Sequence, residues 1–208
     1  MERRKFLLTS LLAAPFTALA KFNFLPEKRL NERPKNGIII RANESRFFGK
    51  KTSPKDTYGR CILSSVDTEN QLYISAGANL SYKEKGGPAL HIHYKDDEIF
   101  YVVSGEFLIQ LGDEISLIKK GDTVFIPRGT KHTFANHIEN NLGELLTIHQ
   151  PISSELEKFY DVFCHNGYMT EEQMGKLFTQ EELKILLANN AFVGPPINIK
   201  VALKKLKG

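Results

Sequence analysis

All six histidines of this 208-residue chain fall between positions 91 and 165. Three of them stand in an arrangement that could do chemistry. His91-Ile92-His93 reads as part of a strand, where residues i and i+2 share a face. Both imidazoles can then point one way while Leu90 and Ile92 point the other. Glu98 follows the polar turn Lys95-Asp96-Asp97, so the next strand can return it beside the histidines. His132 comes from a later strand, after the turn Pro127-Arg128-Gly129. Three neutral imidazoles and one carboxylate form a donor set for one divalent first-row transition metal. Any one of these residues alone is an ordinary core or surface side chain. Turned inward together, they would make an expensive polar hole without a metal or bound water. Such a set binds copper or zinc more tightly than iron or manganese whichever ion is native, so Fe, Mn, Ni, Zn and Cu all remain open.

The surrounding pattern is that of a mainly β domain. Short apolar runs recur at Tyr58–Val66, Leu72–Ala78, Ala89–Tyr94, Ile99–Val103, Phe107–Leu111, Ile115–Ile118, Thr123–Ile126, His132–Asn136 and Leu142–His149. Between them stand Gly86-Gly87-Pro88, Ser104-Gly105, Gly112-Asp113, Gly121-Asp122 and Pro127-Arg128-Gly129. Many short strands with regular turn signals predict an all-β sandwich or barrel. Ile38-Ile39-Ile40 is β-branched, so the β region is taken to start at Gly37 and to run over 37–152. Beyond Pro151 the period becomes helical: Leu156, Phe159, Tyr160 and Phe163 fall on one helix face. Ser154 with Glu157, Thr170 with Gln173, and Thr179 with Glu182 each fit a capping box. Residues 153–208 are therefore expected as a helical tail packed on the barrel, with 194–208 as a solvated, lysine-bearing end.

The spacing of these residues resembles the cupin family. His91-x-His93-x4-Glu98-x6-Gly105 matches the first cupin motif, whose leading glycine is displaced here to Gly86 and Gly87. Gly121-x5-Pro127-x-Gly129-x2-His132-x3-Asn136 matches the second at every position. The resemblance implies a small double-stranded β-barrel (a jelly roll) with a metal held inside one end by His91, His93, Glu98 and His132. Gly105, Gly121 and Gly129 are then turn residues, Pro127 stiffens the approach to His132, and Asn136 is structural. Gly86 to His93, with a tail ending in Gly194-Pro195-Pro196, is similar to bacterial cupins grouped with quercetin dioxygenases. In those enzymes the carboxylate ligand also accepts the substrate's proton, a role that falls here on Glu98.

Four protein ligands leave two positions of an octahedral ion free, which suits a dioxygenase acting on a small aromatic or enolisable substrate. A metal-dependent isomerase or hydrolase, or a cupin that binds without catalysis, is the alternative. Strand parity puts Phe100 and Val102 on the face of Glu98, and Phe134 on that of His132. These three either line a substrate pocket or fill the barrel core. His149, near the end of the last strand, either stands behind the metal ligands or lies at the surface, with the surface favoured; His137 and His165 read as surface or internally satisfied residues. The helix from Ser154 to Phe163 either covers the barrel mouth or serves a homodimer interface.

The first twenty residues read as an export signal: basic Arg3-Arg4-Lys5, an apolar stretch from Phe6, and Ala18-Leu19-Ala20 before Lys21. Arg3-Arg4-Lys5-Phe6-Leu7 partly matches the twin-arginine type, which predicts a periplasmic or secreted protein. Residues 21–36 read as a linker or arm. Of 28 basic and 24 acidic residues, removal of 1–20 takes three and one, leaving 25 against 23. So small an excess argues against nucleic acid as a partner, and nothing holds the chain to a membrane once the signal is cut. Cys61 and Cys164 form no Cys-x-x-Cys pair; sequence leaves open whether they bond or are separate buried thiols.

Overall fold

The computed structural model describes residues 33–34, 36–52, 59–78, 87–139, 143–166 and 170–207. The export signal expected at 1–20 and nearly all of the arm at 21–36 lie outside the described residues.

Nine strands follow the predicted runs: β1 (Arg60–Leu63), β2 (Tyr73–Ala78), β3 (Leu90–His93), β4 (Asp97–Ser104), β5 (Glu106–Leu111), β6 (Glu114–Lys119), β7 (Thr123–Ile126), β8 (His132–Ala135) and β9 (Glu144–Gln150). Helices α1 (Ser154–Asn166), α2 (Glu171–Leu177) and α3 (Gln180–Asn189) follow, then strand β10 (Asn190–Gly194) and helix α4 (Ile199–Lys207). The strands form two antiparallel five-stranded sheets, in the orders β1-β2-β9-β4-β7 and β10-β3-β8-β5-β6. Phe100, Val102, Val124, Ile126 and Leu145 of the first sheet pack on Phe107, Ile109 and Ile118 of the second. This is the mainly β jelly roll with a helical tail that the pattern predicts. Among the described residues, no helix is long and apolar enough to cross a membrane.

The two sheets close over a core because alternate residues of each strand face inward. In β4, Glu98, Phe100 and Val102 are buried while Tyr101 is exposed. Register then aligns the inner faces: Glu98 pairs with His149 of β9, and His149 with Tyr73 of β2. At one end of the barrel these inner positions are polar; below them they are apolar.

Four local expectations are corrected. Ile38–Ile40 form no strand, and Ile38 and Ile39 are exposed; without a partner strand, β-branching alone does not make a ladder. Ser154 and Glu157 form no capping box: Ser153 Oγ accepts the Leu156 N–H instead, and Glu157 turns into the interior. The boxes at Thr170/Gln173 and Thr179/Glu182 do form. The tail is not purely helical, since β10 pairs with β3. Nor is its end free. In α4, Ala202 is buried with Ile197 against Leu108 and Ala135 on the outer face of the second sheet. There the burial of an apolar stripe outweighs the solvation of the lysines, which can stay outside on the opposite face. Cys61 and Cys164 are both free and buried in one cluster with Tyr73 and Leu156. Burial pushes the Cys164 thiol up to about 12.

Candidate metal centre

β3 supplies His91 and His93, β4 supplies Glu98 and β8 supplies His132. His91 stands directly across from His132 in the β3–β8 ladder. One donor atom from each of the four side chains lies within 4.8 Å of every other. The turn before His132 is clamped to the site. Arg128 donates through Nε and Nη2 to Asp97 at 3.0 and 2.9 Å, and its backbone N–H adds a third bond at 2.9 Å. Those bonds from Arg128 hold the Asp97 carboxyl down at about 2. The Gly129 N–H donates to the His93 carbonyl at 2.7 Å. Gly129 has φ +84°, a conformation that penalises any side chain. Gly87 is required for another reason: a Cβ there would meet the Phe134 carbonyl oxygen at 1.6 Å.

The hydrogen bonds settle which nitrogen of each ring is free. His91 Nδ1 lies 2.8 Å from the Ala89 carbonyl, and His132 Nδ1 2.9 Å from that of Thr130. A carbonyl only accepts, so each Nδ1 carries the proton. His93 Nδ1 lies 2.6 Å from Asn190 Oδ1. With Nδ1 protonated, each neutral ring turns an Nε2 lone pair toward the others. His132 Nε2 sits 2.5 Å and His93 Nε2 3.6 Å from Glu98 Oε2. Neither contact has hydrogen-bond geometry: His93 Nε2, His132 Nε2 and Glu98 Oε2 are buried without a partner. Lone pairs aimed at a carboxylate are stable only with a cation among them, and buried unpaired groups of this kind carry a large cost. The residues therefore fit a divalent metal, held by imidazole nitrogens and one carboxylate oxygen.

The electrostatics agree. Burial, reinforced by His132 and His93, holds His91 down at about 3, so it is neutral as a ligand must be. Burial also lowers His93. At His132 burial is outweighed by the Glu98 carboxylate, and the net shift is upward. That edge draws positive charge, which either a proton or an ion supplies. Burial would raise Glu98, but His149, His132 and His93 together hold it well below the usual carboxylate range.

His149 is a correction. It is fully buried and lies at the site, not at the surface. Its Nδ1–H donates to Asp96 at 2.7 Å, and its Nε2 accepts from the Tyr160 hydroxyl at 3.0 Å. The same Nε2 is 3.3 Å from Glu98 Oε1. Asp96, His149 and Tyr160 thus form a hydrogen-bonded chain behind Glu98. Inward parity along β9, through Leu145, Thr147 and His149, is the signal that could have placed it. Asn190 and Tyr160, both from the tail, had no signal of this kind. His137 and His165 lie outside the cluster and pair with Glu106 and Asp161.

Above His91, His93 and Glu98 is a cavity of about 220 Å³. Its floor is His91, His93, Glu98 and Phe134; Leu156, Phe159, Tyr160 and Phe163 of α1 and Leu183 and Leu186 of α3 form its roof. Of the three residues expected to line a pocket or fill the core, Phe134 borders the cavity. Phe100 and Val102 belong to the barrel core beneath it. They share Glu98's face but sit one and two pleats deeper. Asn136 is buried and accepts the Ile138 N–H at 3.1 Å, a turn role. Gly105 and Gly121, like Gly129, have positive φ.

Residues 80–149, which include all four clustered side chains, match the family described as cupin domain. Over that segment the chain belongs to the cupin superfamily. Its cupin segment is 39% identical over 66 residues to an uncharacterized protein of Methanocaldococcus jannaschii, covering 32% of this chain and 53% of that one. A probable oxidoreductase, virH, of Hypocrea virens is 25% identical over 156 residues, covering 71% of this chain and 67% of that one. The chain thus spans about half to two thirds of the length of these curated relatives. A solved cupin-2 domain protein of Shewanella frigidimarina is 20% identical, covers 46% of this chain and 83% of its own, and superposes with a TM-score of 0.36.

Proposed function

We propose that this cupin is a metal-dependent dioxygenase acting on a small, uncharged aromatic or enolisable molecule, in the manner of the quercetin dioxygenases. The observation that carries the reading is the convergence of inward-facing imidazole nitrogens and Glu98 Oε2 at the foot of an apolar cavity. The name of the Hypocrea virens relative, a probable oxidoreductase, agrees with it.

His91, His93, Glu98 and His132 would hold the ion. A bound first-row ion supplies Lewis acidity and, where redox-active, a route for electrons between an organic substrate and dioxygen. The chain's own residues do the rest. With an ion among the four residues Glu98 would be a carboxylate, the form that accepts a proton. It borders the cavity and is the acceptor for a substrate hydroxyl proton. Phe134, Phe159 and Phe163 supply flat apolar walls that exclude water and orient a ring. No lysine or arginine is among the described residues of the wall, so a charged substrate group away from the ion finds no counter-charge there.

The test is anaerobic addition of a flavonol or a catechol to Fe- or Mn-loaded protein. A shifted ligand absorption followed by oxygen uptake on aeration is expected. Glu98→Gln should lower the rate by about 10²- to 10⁴-fold, the usual range for a general base. Binding without oxygen uptake would instead make the protein a ligand-binding cupin. Turnover without oxygen would make it an isomerase or hydrolase. The proposal extends to location: protein recovered outside the cytoplasm should begin at Lys21, and an intact Met1 on cytoplasmic protein would end the export reading.

A further inference from the structure

The strand carrying His91 and His93 does not lie at a sheet edge, because the tail returns to cover it. β10 pairs with β3 in the register Asn190↔His93, Ala191↔Ile92 and Phe192↔His91. The Tyr94 N–H adds a bond to the Asn189 carbonyl at 2.8 Å. Asn190 is the joint between α3 and this strand. Its backbone N–H caps α3 by donating to the Leu186 carbonyl, and its Nδ2 donates to the same oxygen at 2.8 Å. Since that carbonyl can only accept, the amide orientation is set, and Oδ1 is left facing His93 Nδ1 at 2.6 Å.

We propose that Asn190 is a positioning residue of the metal centre: through Oδ1 it holds His93 in the Nδ1–H tautomer, with Nε2 turned toward Glu98 and His132. His91 and His132 take the equivalent bond from a backbone carbonyl within their own strand or turn, at Ala89 and Thr130. His93 takes it from a residue 97 positions away, in the tail. The helical tail is thereby part of the metal centre as well as the cavity roof. The inference rests on the metal reading above.

The geometry offers a clean separation of roles. Asn190→Asp keeps the acceptor to His93 and loses the Nδ2 donor to Leu186. Asn190→Ala loses both. Cobalt(II) is titrated into the metal-free full chain and followed by its visible absorption, with thermal melts of the metal-free forms alongside. Asn190→Ala is expected to bind cobalt about 10- to 100-fold more weakly, the usual cost of removing a partner that orients a ligand. Asn190→Asp is expected to bind close to the wild type, even where its metal-free melting temperature drops as far as that of Asn190→Ala. Wild-type affinity in Asn190→Ala, or equal weakening in both variants, would overturn the inference. A tautomer measurement on the metal-free wild type needs no variant and no metal. Ring ¹⁵N shifts should show His93 protonated at Nδ1, and a proton on Nε2 would refute the proposal. If the wild type takes up no cobalt, the metal reading fails, and the tautomer result still decides the role of Asn190.

Discussion

His132→Ala is expected to cost the protein more than about 100-fold in affinity for a divalent metal. Loss of a partner that merely orients a ligand typically costs 10- to 100-fold, and loss of the ligand itself should exceed that. His132 is buried, lies opposite His91 in the ladder, and brings its Nε2 within 2.5 Å of Glu98 Oε2. His149, the other buried histidine at the site, is already bonded to Asp96 and Tyr160. The effect is readable without any substrate. At a metal concentration about a thousand times the wild-type Kd, binding stabilises the fold by about 4 kcal/mol; a hundredfold weaker site gains only about 1.4 kcal/mol. Melting temperatures with and without Co(II) should therefore separate widely in the wild type and little in His132→Ala. His137→Ala is the control, since His137 pairs with Glu106 outside the cluster. A variant that keeps stoichiometric metal and a wild-type shift would sink the four-residue centre.

The largest effect on stability should come from Glu157→Ala. Glu157 is fully buried in α1, and its carboxylate gathers four donors. Oε1 accepts from the Phe48 N–H at 2.8 Å and from Ser64 Oγ at 2.7 Å; Oε2 accepts from the Ser65 N–H at 2.9 Å and from Ser65 Oγ. One side chain thus ties the roof helix to the segment around Phe48 and to the turn after β1. Alanine strands those donors, and each buried unsatisfied group costs about 1 to 3 kcal/mol. The two hydroxyls can rotate to other acceptors, whereas the two backbone N–H groups cannot. A loss of about 3 kcal/mol is expected in urea unfolding, or about 6 to 12 °C in Tm for a chain of this size. A loss below about 1 kcal/mol would refute the account.

Glu157 also imposes a pH dependence. Burial raises its pKa despite the four donors. The folded state then binds this proton more tightly than the unfolded state, whose carboxyl titrates near 4.3. By linkage, stability falls as pH rises from about that value through the raised folded pKa, and is level above it. Both Glu157→Ala and Glu157→Gln remove this titration, so unfolding free energies of the variants should lack that descending contribution. Glu157→Gln separates charge from shape, because it keeps the side-chain volume and one acceptor while losing the slope.

The inner row of the metal centre was open to reading along the chain because it depends on local geometry. Two-residue spacing puts His91 and His93 on one face, the polar turn Lys95-Asp96-Asp97 returns Glu98, and a Pro-x-Gly turn delivers His132. Each of these is set by strand pleat or turn chemistry over a few residues. The barrel strands follow the same logic; Ile38–Ile40 misled and β10 was missed, since a strand is made by the neighbour with which it pairs. The helix starts at Thr170 and Thr179 were legible because capping is local. The start near Ser154 was not, because Glu157 found four donors on elements about 90 and 109 positions away.

The barrel, its inward-facing histidines and the donor chemistry they imply are local and can be read along the chain. Everything the tail does to that site depends on long-range packing. Folding brings Asn190 to His93 and Tyr160 to His149, roofs the cavity with α1 and α3, and lays α4 on the outer sheet. The apolar face of α1 has a helical period, but neither its docking place nor the other contacts have a spacing to betray them. Each is one contact between residues far apart in the chain, fixed only once the apolar faces of the tail have found the barrel.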